Sequence, residues 1–130
     1  MRKTEAGVKA VTVNHIAISV SDLERSAAWY CRMFGLRVIQ KSGQSALLGF
    51  GESMLVLRED PNPGTISHFM FGVEAYDEEA LKAYILANGL DPKKDLESFH
   101  VCDQDGLNVQ VGDRNLGLGE GIAENGFKMK

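Results

Sequence analysis

Hydrophobic and polar positions along the chain fall into alternating and helical stretches that come in the same order twice. Between Val11 and Val20, Asn14, Ile16, Ile18 and Val20 fill one set of positions, mostly large and apolar, while His15, Ala17 and Ser19 fill the other. Successive strand residues point to opposite faces, so this predicts a strand with one face on a core and a histidine on the other. Ser21 or Asp22 can cap a following helix, and Glu24 sits in its first turn, where the helix dipole favours a carboxylate. Leu23, Ala27, Trp29 or Tyr30, Met33 and Phe34 recur at helical spacing, and Gly35 is a natural stop. A helix over 23–34 follows, with Trp29, Tyr30, Met33 and Phe34 expected in the core.

Three short apolar runs come next, at 36–40, 46–50 and 53–58, separated by gaps that hold Gly43 and Gly51. Such runs read as antiparallel strands joined by hairpins. The stretch 59–64, with Pro61, Pro63 and Gly64, is the clearest break in the chain. After it the order starts again. A strand is expected over 66–74, a helix opened by Asp77, Glu78 and Glu79 and stopped by Gly89, one or two strands over 96–102, and a last strand over 107–111 after the turn at Asp103, Gln104, Asp105 and Gly106. The two halves share a pattern and no close sequence repeat. The expected organisation is a lead-in over 1–10, one domain over 11–112 with modules at about 11–58 and 66–112, and an irregular tail over 113–130.

Composition narrows the class. The 130 residues, 44% hydrophobic and 25% charged, suit one domain with a sizeable core. A net charge of −4 argues against nucleic acid and anionic membrane surfaces as main partners. No apolar run is long enough to span a bilayer, and the charged start Met1, Arg2, Lys3, Thr4, Glu5 lacks a signal-type apolar region. Cys31 and Cys102 do not make a disulfide framework, so free thiols in a reducing cytoplasm are expected.

Sorting each strand by face gives the candidate chemistry. Phe69, Phe71 and Val73 oppose His68, Met70 and Gly72; Leu107, Val109 and Val111 oppose Asn108 and Gln110; Phe99 and Val101 oppose His100 and Cys102; Leu55 and Leu57 oppose Met54, Val56 and Arg58. The apolar faces are assigned to the helix side. The others, carrying His15, Ala17, Ser19, Val56, Arg58, His68, Met70, His100, Asn108 and Gln110, then line a half-polar cavity that holds all three histidines. Leaving imidazoles or amides buried and unpaired costs on the order of 1–3 kcal/mol each, a cost that a metal, water or ligand removes.

Asn14 to Val20, then Asp22, Leu23, Glu24, Arg25, Ser26, Trp29 and Tyr30 through Phe34, Gly35 and Leu36, resemble the opening of the vicinal oxygen chelate superfamily. That superfamily contains glyoxalase I, fosfomycin-resistance thiol transferases, extradiol dioxygenases and bleomycin-binding proteins. Ser67, His68 and Phe69 followed by Phe71, Gly72 and Val73 are similar to its second-module opening. Ser98 to Val101 followed by Asp103 to Gln110 is similar to its closing hairpin. The resemblance covers roughly 11–112.

It implies an α+β fold: two βαβββ modules forming a cupped mixed sheet with helices on the outer face, in a homodimer. It also implies a divalent metal (Zn, Mn, Fe or Ni) held by strand side chains. His15 and His68 fall where metal-binding histidines occur, and Gln110 where the family most often has glutamate. Val56 falls near the fourth-ligand carboxylate of glyoxalase I and cannot ligate, which counts against glyoxalase I activity in its usual form. His100 stands where relatives often have tyrosine and is the proton-handling candidate, since imidazole titrates near neutrality. Ser19, Arg58, Met70 and Asn108 are the substrate-contacting candidates, Arg58 through bidentate contact to an anionic group. Two functions follow from the resemblance. One is metal-assisted lyase, isomerase, transferase or dioxygenase chemistry on a small oxygen-chelating substrate. The other is a metal-free cup that sequesters a small molecule.

Overall fold

The computed structural model describes residues 8–117. Its elements in chain order are β1 (Ala10–Val20), α1 (Leu23–Phe34), β2 (Arg37–Ser42), β3 (Ser45–Phe50), β4 (Ser53–Glu59), β5 (Ile66–Val73), α2 (Glu78–Ala87), β6 (Lys93–Lys94), β7 (Ser98–Cys102) and β8 (Asn108–Asp113). The strands form one eight-stranded mixed sheet in the order β2-β3-β4-β1-β5-β8-β7-β6. This is the expected α+β arrangement of two βαβββ modules. β1 and β5 meet antiparallel at the seam, and each runs parallel to the last strand of its own module, β4 or β8.

Local signals set the helices. Asp22 caps α1 by accepting from the Arg25 backbone N–H at 3.0 Å, and Gly35 ends it at φ 74°, a left-handed conformation that glycine adopts without Cβ strain. Asp77 caps α2 in the same way through Ala80 N–H. α1 buries Leu23 and Ala27 against Val20, Ala46, Leu48 and Leu57, with Tyr30 and Cys31 half-buried beside them. α2 buries Leu81 and Ile85 against Phe99.

The core differs from expectation on α1. Trp29, Met33 and Phe34 are 41%, 52% and 63% exposed, not core. The buried stripe runs Leu23, Ala27, Tyr30, Cys31, at steps of four, three and one. Trp29 and Met33 lie off that stripe, and Phe34 is the helix's last residue. The apolar face of β5 is also not fully under a helix. Val13 pairs with Phe71, Ile16 with Phe69 and Ile18 with Ile66, and Ile66 is 60% exposed. α1 packs mainly on β2, β3 and β4 and meets β1 only toward its end, at Ile18 and Val20.

Several strand ends shift. Leu36 and Leu107 stand outside β2 and β8, which run on to Ser42 and Asp113. The stretch 96–102 yields one strand from Ser98, preceded by the short β6, because Leu96 takes a left-handed φ of 59° that breaks the ladder. The expected lead-in over 1–10 is outside the described residues for 1–7, as is the tail for 118–130. Cys31 and Cys102 are free thiols. Among the described residues no helix is long and apolar enough to cross a membrane.

Two irregularities at the seam matter for the site. β1 advances from Val13 to His15 while β5 moves only from Phe71 to Met70, so Asn14 is an extra residue, a β-bulge. It changes the alternation: Thr12 and His15 share the cup face, three positions apart. On β5, Ser67 has no partner between Ile66 and His68. Each seam histidine thus follows directly on a polar residue that stands outside the ladder.

Candidate functional site

Strand register brings the site together. His15, Met70, Gln110 and His100 lie in one row across β1, β5, β8 and β7; Ala17, His68, Asn108 and Cys102 lie in the next. Residues 53 and 95 positions apart in sequence thereby share a few ångströms of cup. His15 Nε2 faces His68 Nε2 at 3.3 Å, with ring centroids 5.3 Å apart and planes nearly perpendicular. The His68 and His100 rings stand 5.4 Å apart.

Each ring is held from behind. Asn14 Oδ1 lies 2.7 Å from His15 Nδ1, and Ser67 Oγ lies 3.1 Å from His68 Nδ1. His15 is buried, and loss of hydration, aided by the nearby His68, lowers its pKa from the usual 6.5 to about 4. His68 is lowered by the same desolvation and by His100. Both rings are therefore neutral at pH 7, the form that binds metals.

Gln110 completes the cluster, and its neighbours decide which end of the amide faces the rings. The Asp95 backbone carbonyl can only accept, so Ser98 Oγ, 2.6 Å away, donates to it. That hydroxyl then accepts from Gln110 Nε2 at 2.7 Å. Oε1 is left to face the imidazoles of His15 and His68. With Nδ1–H tautomers on both rings, three acceptors converge. Either a proton on one Nε2 or a cation must lie among them, because lone pairs this close repel.

His100 is differently engaged. Its Nε2 donates to Asp95 Oδ2 at 3.0 Å and its Nδ1 meets the Asn108 amide at 2.8 Å. Both nitrogens are occupied, so it forms a braced wall of the cup. Met70, in register between His15 and Gln110, is fully buried. Arg58 and Ser19 are paired in register at the far end of β1 and β4, and Arg58 Nη1 is a buried donor with no partner among the described residues.

Module 1 has no counterpart to Gln110. Val56 pairs with Ala17 as Gln110 pairs with Met70, and Val56 packs with Ala17, Leu47 and Met54. That quarter of the cup is filled with apolar side chains and is not the half-polar cavity expected. Among the described residues no three His, Cys, Asp or Glu side chains converge as a metal site; the cluster is a histidine pair and an amide. An open groove of about 630 Å³, lined by Ile18, Arg25, Trp29, Tyr30 and Ile66 among others, holds none of the three histidines.

Sequence pattern alone does not single out Asn14, Ser98 or Asp95. Asn14 falls in an apolar row, where an amide is itself the signal. Ser98 and Asp95 give none, because only their backbone and side-chain contacts mark them.

The model of the Glyoxalase/Bleomycin resistance protein/Dioxygenase superfamily matches residues 12–111. The chain belongs to that superfamily. It is 28% identical over 108 residues to the metallothiol transferase FosB of Lysinibacillus sphaericus, covering 73% of this chain and 77% of that one. It is 27% identical over 111 residues to the glutathione transferase FosA of Serratia marcescens, covering 77% and 79%. Among solved structures it resembles an extradiol ring-cleaving dioxygenase from B. fuscum, with a TM-score of 0.70 at 19% identity over 82% of this chain. Homoprotocatechuate 2,3-dioxygenase from Arthrobacter globiformis gives 0.69 at 24% over 81%. The chain spans 33% and 36% of the length of those two dioxygenases, and the likeness to them concerns the fold.

Proposed function

We propose that the chain holds a divalent metal ion among His15, His68 and Gln110 and uses it on a small oxygen-bearing substrate. The observation that carries this is the 3.3 Å approach of His15 Nε2 to His68 Nε2, with the Gln110 oxygen turned toward both. Two nitrogens each about 2.1 Å from one ion, at angles between octahedral and tetrahedral, stand about 3.0–3.4 Å apart, so the donor set fits the group. A bound ion would supply Lewis-acid polarisation of substrate oxygens. Two imidazoles and an amide leave its charge uncompensated, which favours an anionic substrate.

The chain's own residues would do the rest. His15 and His68 arrive neutral and oriented. Ser98 keeps the amide oxygen forward. Arg58, whose Nη1 has no partner among the described residues, suits an anionic substrate group, with Ser19 beside it; Asn108 and the braced His100 form the wall opposite. The similarity to two thiol transferases over most of their length favours transferase chemistry among the classes open to this fold. We place the protein in the cytoplasm, as a homodimer.

The test is metal content and Mn(II) or Zn(II) affinity of protein purified without chelator. The expected result is stoichiometric binding that His15→Ala and His68→Ala each abolish. Equal, negligible binding in all three overturns the proposal. The apolar quarter formed by Ala17, Leu47, Met54 and Val56 favours a second reading, a metal-free cup for a hydrophobic small molecule. Ligand binding that is indifferent to chelator would support it.

A further inference from the structure

We infer that Asn14 is a positioning residue that sets the tautomer of His15 and ties that ring to the chain segment leaving β8. Its importance for metal binding rests on the proposed function; the tautomer and the tie do not.

Hydrogen-bond chemistry fixes the role of each atom of the amide. Asn14 is fully buried, and its Nδ2 lies 3.0 Å from Arg114 O and 2.8 Å from Leu116 O. Carbonyl oxygens only accept, so the atom facing them must be the amide nitrogen, whose two hydrogens serve both. The other end, facing His15 Nδ1 at 2.7 Å, is then the oxygen. An oxygen acceptor requires a hydrogen on Nδ1. A neutral ring has only one, so the Nε2 lone pair is presented to the cup. Neither end of the amide can turn over without opposing two acceptors at once.

Ser67 shows what is special here. It takes the same place before His68, but it is exposed, and its hydroxyl can donate or accept. His68's tautomer is therefore not dictated, while His15's is. The bulge explains how Asn14 reaches its partners, since as an extra residue it falls outside the strict alternation of β1. The segment it grips is itself anchored: Arg114 N–H donates to Val73 O at 2.9 Å, and the guanidinium bridges Glu52 of module 1 and Glu74 of module 2. The crossover after β8 is thus the backing of the histidine on β1.

The experiment uses full-length protein labelled with ¹⁵N-histidine, metal-free at about pH 8, with the His15 signals assigned by their loss in His15→Ala. Wild type is expected to show His15 as a single Nδ1–H tautomer. Asn14→Ala removes both functions: the tautomer becomes mixed, and hydrogen exchange of the Arg114 and Leu116 amides speeds about tenfold. Asn14→Asp separates them. A carboxylate still accepts from Nδ1–H, so the tautomer stays, but it cannot donate to the carbonyls, so exchange speeds as in the alanine variant. Mn(II) affinity is expected to fall about 10–100-fold in Asn14→Ala and by less in Asn14→Asp. A His15 that stays Nδ1–H in Asn14→Ala, or exchange unchanged in Asn14→Asp, overturns the inference. Should the alanine variant not fold, Asn14→Asp decides the tie, and Asn14→Ser, whose hydroxyl can donate or accept, decides the tautomer: it is expected mixed, and a His15 that stays Nδ1–H there overturns the inference. If wild type binds no Mn(II) while tautomer and exchange respond as stated, the metal proposal fails and this inference stands.

Discussion

Gly72 lies directly under Arg114. A Cβ at Gly72 would fall 2.5 Å from the Arg114 Cα and 2.6 Å from Thr12 Oγ1, closer than real side chains approach. The segment after β8 can cross the seam only because β5 has no side chain there. Gly72→Ala is therefore expected to lower stability by about 1–3 kcal/mol, as overpacking does. Chemical denaturation measures it. Hydrogen exchange of the Arg114 amide should speed in the same variant, and normal exchange with normal stability would show that the crossing is not tight.

The pKa of His15 makes stability depend on pH. Burial, and then His68, lower it to about 4, while the unfolded ring titrates near 6.5. Between those values the unfolded chain binds more protons than the folded one, so acid favours unfolding. The contribution is fully present above about pH 6.5 and is lost as pH falls toward 4. It amounts to about 3 kcal/mol for His15, and His68 adds in the same direction. Denaturation midpoints at several pH values check this, and His15→Gln should flatten the slope.

Gln110→Glu places a carboxylate where the site now offers a neutral oxygen. Metal affinity is expected to rise about tenfold or more, since a full charge outweighs an amide dipole at ligand distance. Without metal the same variant buries a charge beside two neutral rings and should melt at lower temperature, with added metal restoring it. Calorimetric titration and melting with and without Mn(II) measure both.

Asp95→Asn tests the bracing of His100. The carboxylate accepts from His100 Nε2 at 3.0 Å with both side chains largely buried. The amide is expected to lower stability by about 1–3 kcal/mol. Mn(II) affinity should change far less than in His68→Ala, because His100 is bound on both nitrogens and offers no free lone pair to an ion. A parallel loss of metal would place His100 among the ligands.

The elements and the scaffold are legible in the residue pattern. Alternation marked β1 and β5, Asp22 and Gly35 bounded α1, and Pro61, Pro63 and Gly64 separated the halves, because strand period, caps and breakers act within a few residues. It also placed His15, His68, His100, Asn108 and Gln110 on a common face. Which atoms meet depends on the pairing of distant strands. That β1 lies beside β5, with His15 opposite Met70 and His68 opposite Ala17, depends on pairing between strands about fifty residues apart. Alternation puts Asn14 in the apolar row because it assumes an unbroken ladder; the bulge breaks it, and an amide between two carbonyls and an imidazole is the result. Helical spacing puts Trp29 and Phe34 in the core because it reports a stripe and not what covers it. Local chemistry dictated the parts, and long-range register dictated the site, since a hydrogen bond of 2.7 Å depends on where another strand comes to rest.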